Sequence, residues 1–221
     1  MDLIQAMQER HSMRAYTDRP IERKTAEKLR DFVRRCAGES GLRLELVTDE
    51  PTAFDGPMAH YGKFFGVRNY IVLAGKKAPD LDERCGYYGE KIVLYAQTLG
   101  LNTCWVALTY KKGAVRVQLA PGEKLCVVIA VGYGVNNGVP HKSKPIESVM
   151  QPEGTPPDWF SAGVEAALLA PTAMNQQKFV FSLKEDRVSV KQGLGFYSKV
   201  DLGIVKYHFE LGAGDVPFQW A

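Results

Sequence analysis

The chain of 221 residues contains only four cysteines and four histidines, and none of the cysteines forms a C-x-x-C pair. The cysteines are widely spaced, and no histidine clusters beside them: Cys36, Cys85, Cys104 and Cys126. A zinc site built from paired cysteines is therefore not expected. The pattern is typical of reduced cytosolic thiols that are buried in a core, and we predict no metal site.

Long apolar runs and long basic runs are also missing. No apolar run reaches the roughly 20 residues that a membrane-spanning helix needs. The formal net charge is only +3, and no lysine or arginine run is long enough to follow a nucleic-acid backbone. We therefore expect neither a membrane nor a nucleic-acid partner.

The N-terminal stretch, residues 1–7, is amphipathic and lacks the apolar core of a signal peptide, so we expect a cytoplasmic protein. With 45% hydrophobic and 24% charged residues, the composition suits one globular domain with a substantial core, or two small ones.

The most informative stretch is a polar turn near the end of the chain. Apolar residues at helical spacing, from Phe160 to Leu168, predict a helix that Pro171 ends. One hydroxyl and three carboxamides follow, and the chain then alternates as a strand over 179–183. Asn and Gln both donate and accept hydrogen bonds, as the edge of a pyrimidine-like ring requires. An ordinary polar turn remains the alternative.

A second polar segment follows the predicted first helix, Asp2 to Glu9. It places Arg10, Ser12 and Arg14 within five residues. The planar fork of arginine matches phosphate oxygens, and serine adds a short donor. A phosphate site is therefore predicted here, with a solvated basic turn as the alternative.

The remaining elements follow from hydrophobic periodicity. We predict helices over 22–37, 86–100 and 201–212, the second ending at Gly100, with a short helix at 115–119. Strands are predicted at 42–47, 69–74, 101–108, 125–131 and 188–190, and a Pro/Gly-rich linker at 151–157. The aromatic loop 50–66 suits either a cover over a flat ligand or a surface loop.

These segments resemble two motifs of the nitroreductase-like FMN-dependent oxidoreductases. The R-x-S-x-R-x-F/Y motif is matched by Arg10, Ser12, Arg14 and Tyr16. The A-P-S-x-x-N-x-Q-P-W-x-F motif is matched at Ala170, Pro171, Thr172 (for Ser), Asn175, Gln177 and Phe181, with Lys178 and Phe179 in place of Pro-Trp.

Two further segments are similar to the same family. Residues 101–108 resemble G-L-G-T-C-W-I-G-G, whose backbone amides lie near flavin N5, and here Ala107 and Leu108 replace the two glycines. Lys144, directly before Pro145, corresponds to a late basic position that supplies a second cation at the phosphate. The alternative for residues 101–108 is a plain buried strand, and the alternative for the segment of Lys144 is a solvated turn.

The resemblance implies an α+β fold with a mixed sheet flanked by helices, and an enclosed FMN cleft. It implies that the FMN phosphate is contacted by Arg10, Ser12, Arg14 and Lys144. It also implies that the rest of the flavin is contacted by Ala107, Leu108, Pro171, Thr172, Ala173, Asn175 and Gln177. His11 would be structural or face the ribityl chain. No catalytic acid, base or nucleophile is nominated, because the flavin carries the redox step.

The implied activity is electron transfer from NADH or NADPH to a nitroaromatic, a quinone or a similar small acceptor. The alternatives are a flavin-binding sensor or carrier with weak or no turnover, and a scaffold without cofactor. The sensor or carrier alternative stays open because Ala107 and Leu108 replace two glycines of the family and Lys178 and Phe179 replace its Pro-Trp pair.

The chain departs from the family in one respect. The family's flavin-contacting turn ends its first long helix, whereas here that helix ends in 37–41 and the turn appears after Ala170. We therefore predict a single domain over 1–221 that forms a pseudo-dimer from halves of about 1–150 and 157–221. It would bind one flavin per chain, as a monomer or a homodimer.

A degenerate internal repeat is also predicted. Five residues of one helix recur 112 positions later: Ile92, Val93, Tyr95, Leu99 and Gly100 pair with Ile204, Val205, Tyr207, Leu211 and Gly212.

Overall fold

The computed structural model describes residues 1–221, which form six α-helices and eight β-strands. The helices are α1 (Leu3–Glu9), α2 (Arg23–Ser40), α3 (Pro57–Tyr61), α4 (Leu81–Thr98), α5 (Asp158–Ala167) and α6 (Ser198–Ala213). The strands are β1 (Arg43–Val47), β2 (Tyr70–Lys76), β3 (Asn102–Val106), β4 (Glu123–Gly132), β5 (Met150–Pro152), β6 (Phe179–Lys184), β7 (Arg187–Gln192) and β8 (Gln219–Trp220). This confirms the predicted α+β class, with helices beside mixed strands.

The first sheet has the strand order β1-β2-β4-β3 and is antiparallel throughout. Its two central strands are buried on both faces, as their continuous apolar runs predict. Ile71 and Leu73 belong to the core that contains α4, whereas Tyr70 and Val72 pack with Phe54 on the opposite face. The aromatic loop 50–66 therefore covers the far side of this sheet.

The second sheet has the order β5-β6-β7-β8 and mixes parallel and antiparallel pairs. A tight turn joins β6 to β7 and includes Glu185 at a positive φ of 57°. Strand β5 occupies the start of the stretch predicted as a linker, because it gains its pairing from β6, which is distant in sequence. Periodicity cannot predict a three-residue strand of this kind.

Helices α4 and α6 pack closely against each other near the middle of the molecule. A Cβ on Gly86 would lie 2.0 Å from the carbonyl oxygen of Val200, and one on Gly203 would lie 1.9 Å from that of Glu83. Only glycine permits this approach, so the two backbones touch at the crossing.

The contacts at this crossing are reciprocal. Gly86 meets Val200, and Gly203 meets Glu83. The equivalent positions are 117 apart (203 minus 86, and 200 minus 83), which is also the spacing between the starts of β2 and β7 and of α4 and α6. The predicted repeat register of 112 is therefore not the register at which the two helices meet.

Several elements differ from their sequence predictions. Helix α4 begins at Leu81, five residues before the predicted start at Gly86, because Asp82 and Glu83 favour its first turn. Residues 115–119 are not helical, and a short 3₁₀ turn lies at Lys112–Ala114 instead. Helix α6 begins three residues before the predicted Asp201.

None of the helices has both the length and the apolar character needed to cross a membrane.

Candidate functional site

One cleft lies between the N-terminal basic segment and the late polar turn. It has an inner and an outer part, and both are lined by Ser12, Arg14, Pro171, Thr172 and Met174. Ala107 and Ala173 line only the inner part, and Arg10, His11 and Asn175 only the outer part. The structure therefore brings together nine of the twelve residues predicted from sequence.

The basic segment is fixed beside β3. The amide of Met13 donates to the carbonyl of Thr103 at 2.9 Å, and the amide of Tyr16 donates to that of Phe65 at 2.9 Å. Met13 is buried, and the residues on either side of it, Ser12 and Arg14, line the cleft. This alternation is what an extended segment produces, and Tyr16, which is buried, departs from it.

Arg10, which caps the C-terminus of α1, is almost fully buried, with 3% exposure. Its Nε has no hydrogen-bond partner, and its nearest carboxylate oxygen is Glu90 Oε1 at 3.9 Å. Burial lowers the pKa of the guanidinium, and the charge of Glu90 opposes that effect. A buried cation with an unpartnered donor is costly unless an anion is bound beside it.

Arg14 is exposed to the cleft and lies over the ring of Phe64, with its Cζ 5.9 Å from the ring centroid. It forms no ion pair with any carboxylate of the chain, so its charge is available to a ligand.

His11 lies between the two arginines in sequence. Burial and the charge of Arg10 lower the pKa of its imidazole.

The late turn has a strained backbone. Met174, Asn175 and Gln177 have positive φ values of 53°, 52° and 43°, although none of them is glycine. Such conformations cost of order 1–3 kcal/mol each and persist only where the surroundings fix them. The turn is therefore held in this shape by its neighbours.

Gln177 supplies one of these constraints and does not line the cleft. It is 2% exposed, and its Nε2 donates to Lys142 O at 2.9 Å and to Asn175 Oδ1 at 2.7 Å. Its Oε1 accepts from the amide of Lys144 at 2.8 Å, and its carbonyl accepts from Lys144 Nζ at 2.9 Å. Lys144 and Gln177 therefore bind each other behind the turn.

The segment after β3 contributes unequally to the cleft. Ala107 lines the inner part, whereas the side chain of Leu108 is 56% exposed and does not line either part. The chain has left the strand at Val106, so Ala107 and Leu108 occupy a bend.

Sequence analysis did not identify Asp201, which lies in the first turn of α6 and lines the inner cleft. Its Oδ1 accepts from the amide of Ala173 at 2.9 Å, and its Oδ2 accepts from Gln176 Nε2 at 2.7 Å. Burial raises its pKa to about 6, against the opposing effect of these two hydrogen bonds. The only sequence signal was an acidic residue at a helix start, which usually serves as a cap.

A buried polar cluster beneath the cleft was also missed. Glu90 is fully buried and accepts from Trp105 Nε1 at 2.9 Å, and it lies 2.9 Å from His208 Nε2. Trp105 lines the inner cleft, so this cluster fixes its indole. Three different elements supply these residues, and no motif connects them.

The protein therefore has an α+β fold, and one of its clefts carries two arginines at one side and a turn with a hydroxyl and a carboxamide at the other. The chain belongs to a nitroreductase family: the family model described as "Putative TM nitroreductase" matches residues 2–213. Membership places the chain among the oxidoreductases. None of the curated proteins matches it.

Solved structures share the fold. A putative nitroreductase from Thermotoga maritima aligns with a TM-score of 0.70 at 22% identity, covering 96% of this chain and 83% of that one. A putative NADH dehydrogenase/NAD(P)H nitroreductase from Parabacteroides distasonis aligns at 0.53 and 23% identity, covering 66% and 95%. A putative nitroreductase from Desulfovibrio desulfuricans in complex with FMN aligns at 0.53 and 17% identity, covering 71% and 99%.

Proposed function

We propose that the protein is an FMN-dependent oxidoreductase that takes electrons from NADH or NADPH and passes them to a small acceptor such as a nitroaromatic or a quinone. The observation that carries this proposal is the meeting of Ser12 and Arg14 with Pro171–Ala173 in one cleft. Family membership and an FMN complex of one structural neighbour support the choice of cofactor.

The residues at the outer cleft fit a phosphate. Arg10 carries a buried Nε with no partner, and Arg14 has no carboxylate partner. Two guanidiniums and the hydroxyl of Ser12 form the donor set that a phosphate dianion prefers. We assign the phosphate of FMN to these three residues, with His11 beside them.

The inner cleft fits a flat polar ring. Ten of the fifteen residues that line it are hydrophobic, as is usual for small-molecule sites. We assign the ring to the walls formed by Ala107 on one side and Thr172 and Ala173 on the other, with Asn175 at the mouth. Lys144 and Gln177 support these contacts from behind by fixing the shape of the turn.

A bound flavin would supply the redox chemistry by accepting hydride at N5 and passing electrons to the acceptor. The side chains of this protein bind and orient the two substrates and limit the access of water to the cleft. The buried cluster of Glu90, Trp105 and His208 keeps one wall rigid.

We also propose that the chain is a pseudo-dimer with one flavin site. The reciprocal contacts of Gly86 and Gly203 are those expected of an isologous interface between two related halves. The first half supplies the arginines and the second half supplies the strained turn. At the position equivalent to the second site, α2 ends at Ser40 and β1 starts at Arg43, so no such turn is present.

The visible absorption spectrum of the purified protein, recorded before and after anaerobic addition of NADH or NADPH, tests the proposal. We expect a flavin band that the nicotinamide bleaches. A flavin band that resists both donors would favour the sensor or carrier function, and a protein that neither contains nor takes up FMN would contradict the proposal.

A further inference from the structure

Two neighbouring segments beside the cleft expose large apolar side chains. Met174 in the late turn is 87% exposed, and Leu194 and Phe196 in the loop between β7 and α6 are 95% and 69% exposed. Single exposed apolar residues are common on protein surfaces, whereas a group of them beside a cleft often marks a binding site. We call these three residues the apolar rim.

Hydrogen bonds fix the two segments against each other. The amide of Gly193 donates to the carbonyl of Lys178 at 2.7 Å, and Lys178 Nζ donates to the carbonyl of Leu194 at 2.7 Å. Gln176 Nε2 donates to the carbonyl of Phe196 at 2.7 Å. The backbone polar groups of the loop are thus satisfied by the turn, while the side chains of Leu194 and Phe196 stay exposed. The exposed apolar surface therefore belongs to a loop that is held in place.

The apolar rim is continuous with the inner cleft. Met174 lines both parts of the cleft. Tyr197, which follows Phe196, lines the inner part, and its hydroxyl donates to the carbonyl of Ala107 at 3.5 Å. Met174 and Tyr197 both have a positive φ of 53°. Residues other than glycine keep such a conformation only where their surroundings fix it, and these outliers cluster at ligand sites.

The chemistry of the rim differs from that of the rest of the cleft. Residues 192–198 contain no charged side chain, and the ammonium of Lys178 already donates to a backbone carbonyl. The rim therefore offers contact area to an apolar group and no free cation to a charged one. The inner cleft, which is mostly hydrophobic, suits a flat ring. A ligand that fits both is a flat ring that carries an aliphatic chain.

We propose that Met174, Leu194 and Phe196 form a subsite for the aliphatic chain of a quinone acceptor whose ring enters the inner cleft. This inference rests on the proposed function, and it selects quinones among the proposed acceptors because simple nitroaromatics carry no such chain. NADH or NADPH supplies two electrons and one proton as hydride, and solvent supplies the second proton, so the quinone leaves as a hydroquinone. A second copy of this chain docked on the rim would instead cover the cleft beside it.

The test uses three benzoquinones with the same ring and with no, one or two isoprene units in the side chain. We would measure kcat/KM for each with the FMN-loaded wild type, Leu194→Ser/Phe196→Ser and the control Met58→Ser/Tyr61→Ser. The control residues are exposed on α3 and line neither part of the cleft. The wild type and the control should prefer one isoprene unit to the bare ring about tenfold, because burial of methylene groups is favourable. The rim variant should lose most of this preference.

A wild type without the preference, or a rim variant that keeps it, would overturn the proposal. Light scattering on the same proteins tests the other occupant. A wild-type dimer that the rim substitutions dissociate would show that the rim is an interface between copies, and it would overturn the proposal as well.

Calorimetric binding of the three quinones to the protein as purified, without nicotinamide, separates this inference from the proposed function. An affinity that rises with the chain in the wild type and not in the rim variant supports the subsite even if no quinone is reduced, and in that case only the proposed function fails. Equal affinities for the three quinones in the wild type would overturn the subsite and leave FMN-dependent reduction intact.

Discussion

At the residue scale, the two arginines of the first segment differ in what surrounds them. Arg10 is buried against Glu90, whereas Arg14 is exposed to the cleft and has no carboxylate partner. Loss of Arg14 therefore removes the proposed phosphate contact without leaving a buried charge unpaired. Loss of Arg10 also leaves Glu90 without its nearest cation.

The Arg14→Ala variant should bind FMN at least tenfold more weakly, and the Arg10→Ala/Arg14→Ala variant about a hundredfold or more. Each charge-assisted hydrogen bond contributes about 1.5–3 kcal/mol. Quenching of flavin fluorescence on titration measures both affinities. Arg23→Ala/Arg34→Ala is the matched control, because it removes the same charge from exposed surface pairs on α2. Equal affinity for all variants would contradict the phosphate assignment.

Asp201 should affect stability in a pH-dependent way. Its pKa is about 6 in the folded chain and near 3.8 when unfolded, so the folded state binds more protons between these values. The free energy of unfolding should therefore fall by about 3 kcal/mol from this group as pH rises from about 3 to about 7, and then stay level.

Urea unfolding of the wild type and Asp201→Asn across this pH range checks the effect. The difference between the two proteins in how the free energy of unfolding depends on pH measures the contribution of Asp201. An identical slope in both would show that the carboxyl is not buried as described, whereas the exposed control Asp215→Asn should retain the wild-type slope.

The residues that sequence could predict are those within short motifs. Arg10, Ser12 and Arg14 could be predicted to lie together because they stand within five residues and match a short family motif, and all three line the cleft. The roles of Asp201 and Glu90 could not be predicted, because they depend on backbone and side-chain partners from other elements. For Gln177 and Lys144, the motif indicated the right region, and only the structure shows that the two residues bind each other.

At the element scale, the periodic helices and strands were predicted well, since hydrophobic spacing reports which face is buried. Helix α2 extends three residues past its predicted end at Ala37 and ends before Gly41, whose φ of 67° suits glycine. Strands β5 and β8 were missed because two- and three-residue strands have no period to detect. The helix predicted at 115–119 was wrong because Val115 and Val117 pack against the cluster around Phe54 and Tyr70 from a non-helical segment.

The glycine crossing gives a prediction at this scale. A Cβ at Gly203 would lie 1.9 Å from the backbone of α4, so Gly203→Ala should push the two helices apart and destabilise the protein by about 1–3 kcal/mol. Gly38→Ala is the control, since Gly38 lies in α2 with no atom within 4 Å of the added carbon. That change should stabilise the protein by about 0.5–1 kcal/mol. Denaturant unfolding compares the two, and a neutral Gly203→Ala would argue against the tight crossing.

At the scale of the whole molecule, two segments more than 150 residues apart line one cleft, and the packing of α4 against α6 sets their separation. Sequence analysis predicted this meeting through the displaced turn, although the repeat register of 112 differs from the spacing of 117 that relates the helix contacts. Five matching residues were too few to fix that register, because helices share apolar spacing whether or not they are related.

The pseudo-dimer predicts a stoichiometry of one FMN per chain. Equilibrium titration combined with the molar mass in solution measures it. Two flavins per chain would require a second site that the short α2–β1 connection does not provide, and one flavin per two chains would mean that the cleft is completed by another copy.

The most direct test of the account is a crystal structure of the protein with FMN bound. The account predicts the phosphate against Arg10 and Arg14, and the ring between Ala107 and the Thr172–Ala173 backbone of the same chain. A flavin that contacts only one of these two segments, or that lies in another cavity, would contradict it.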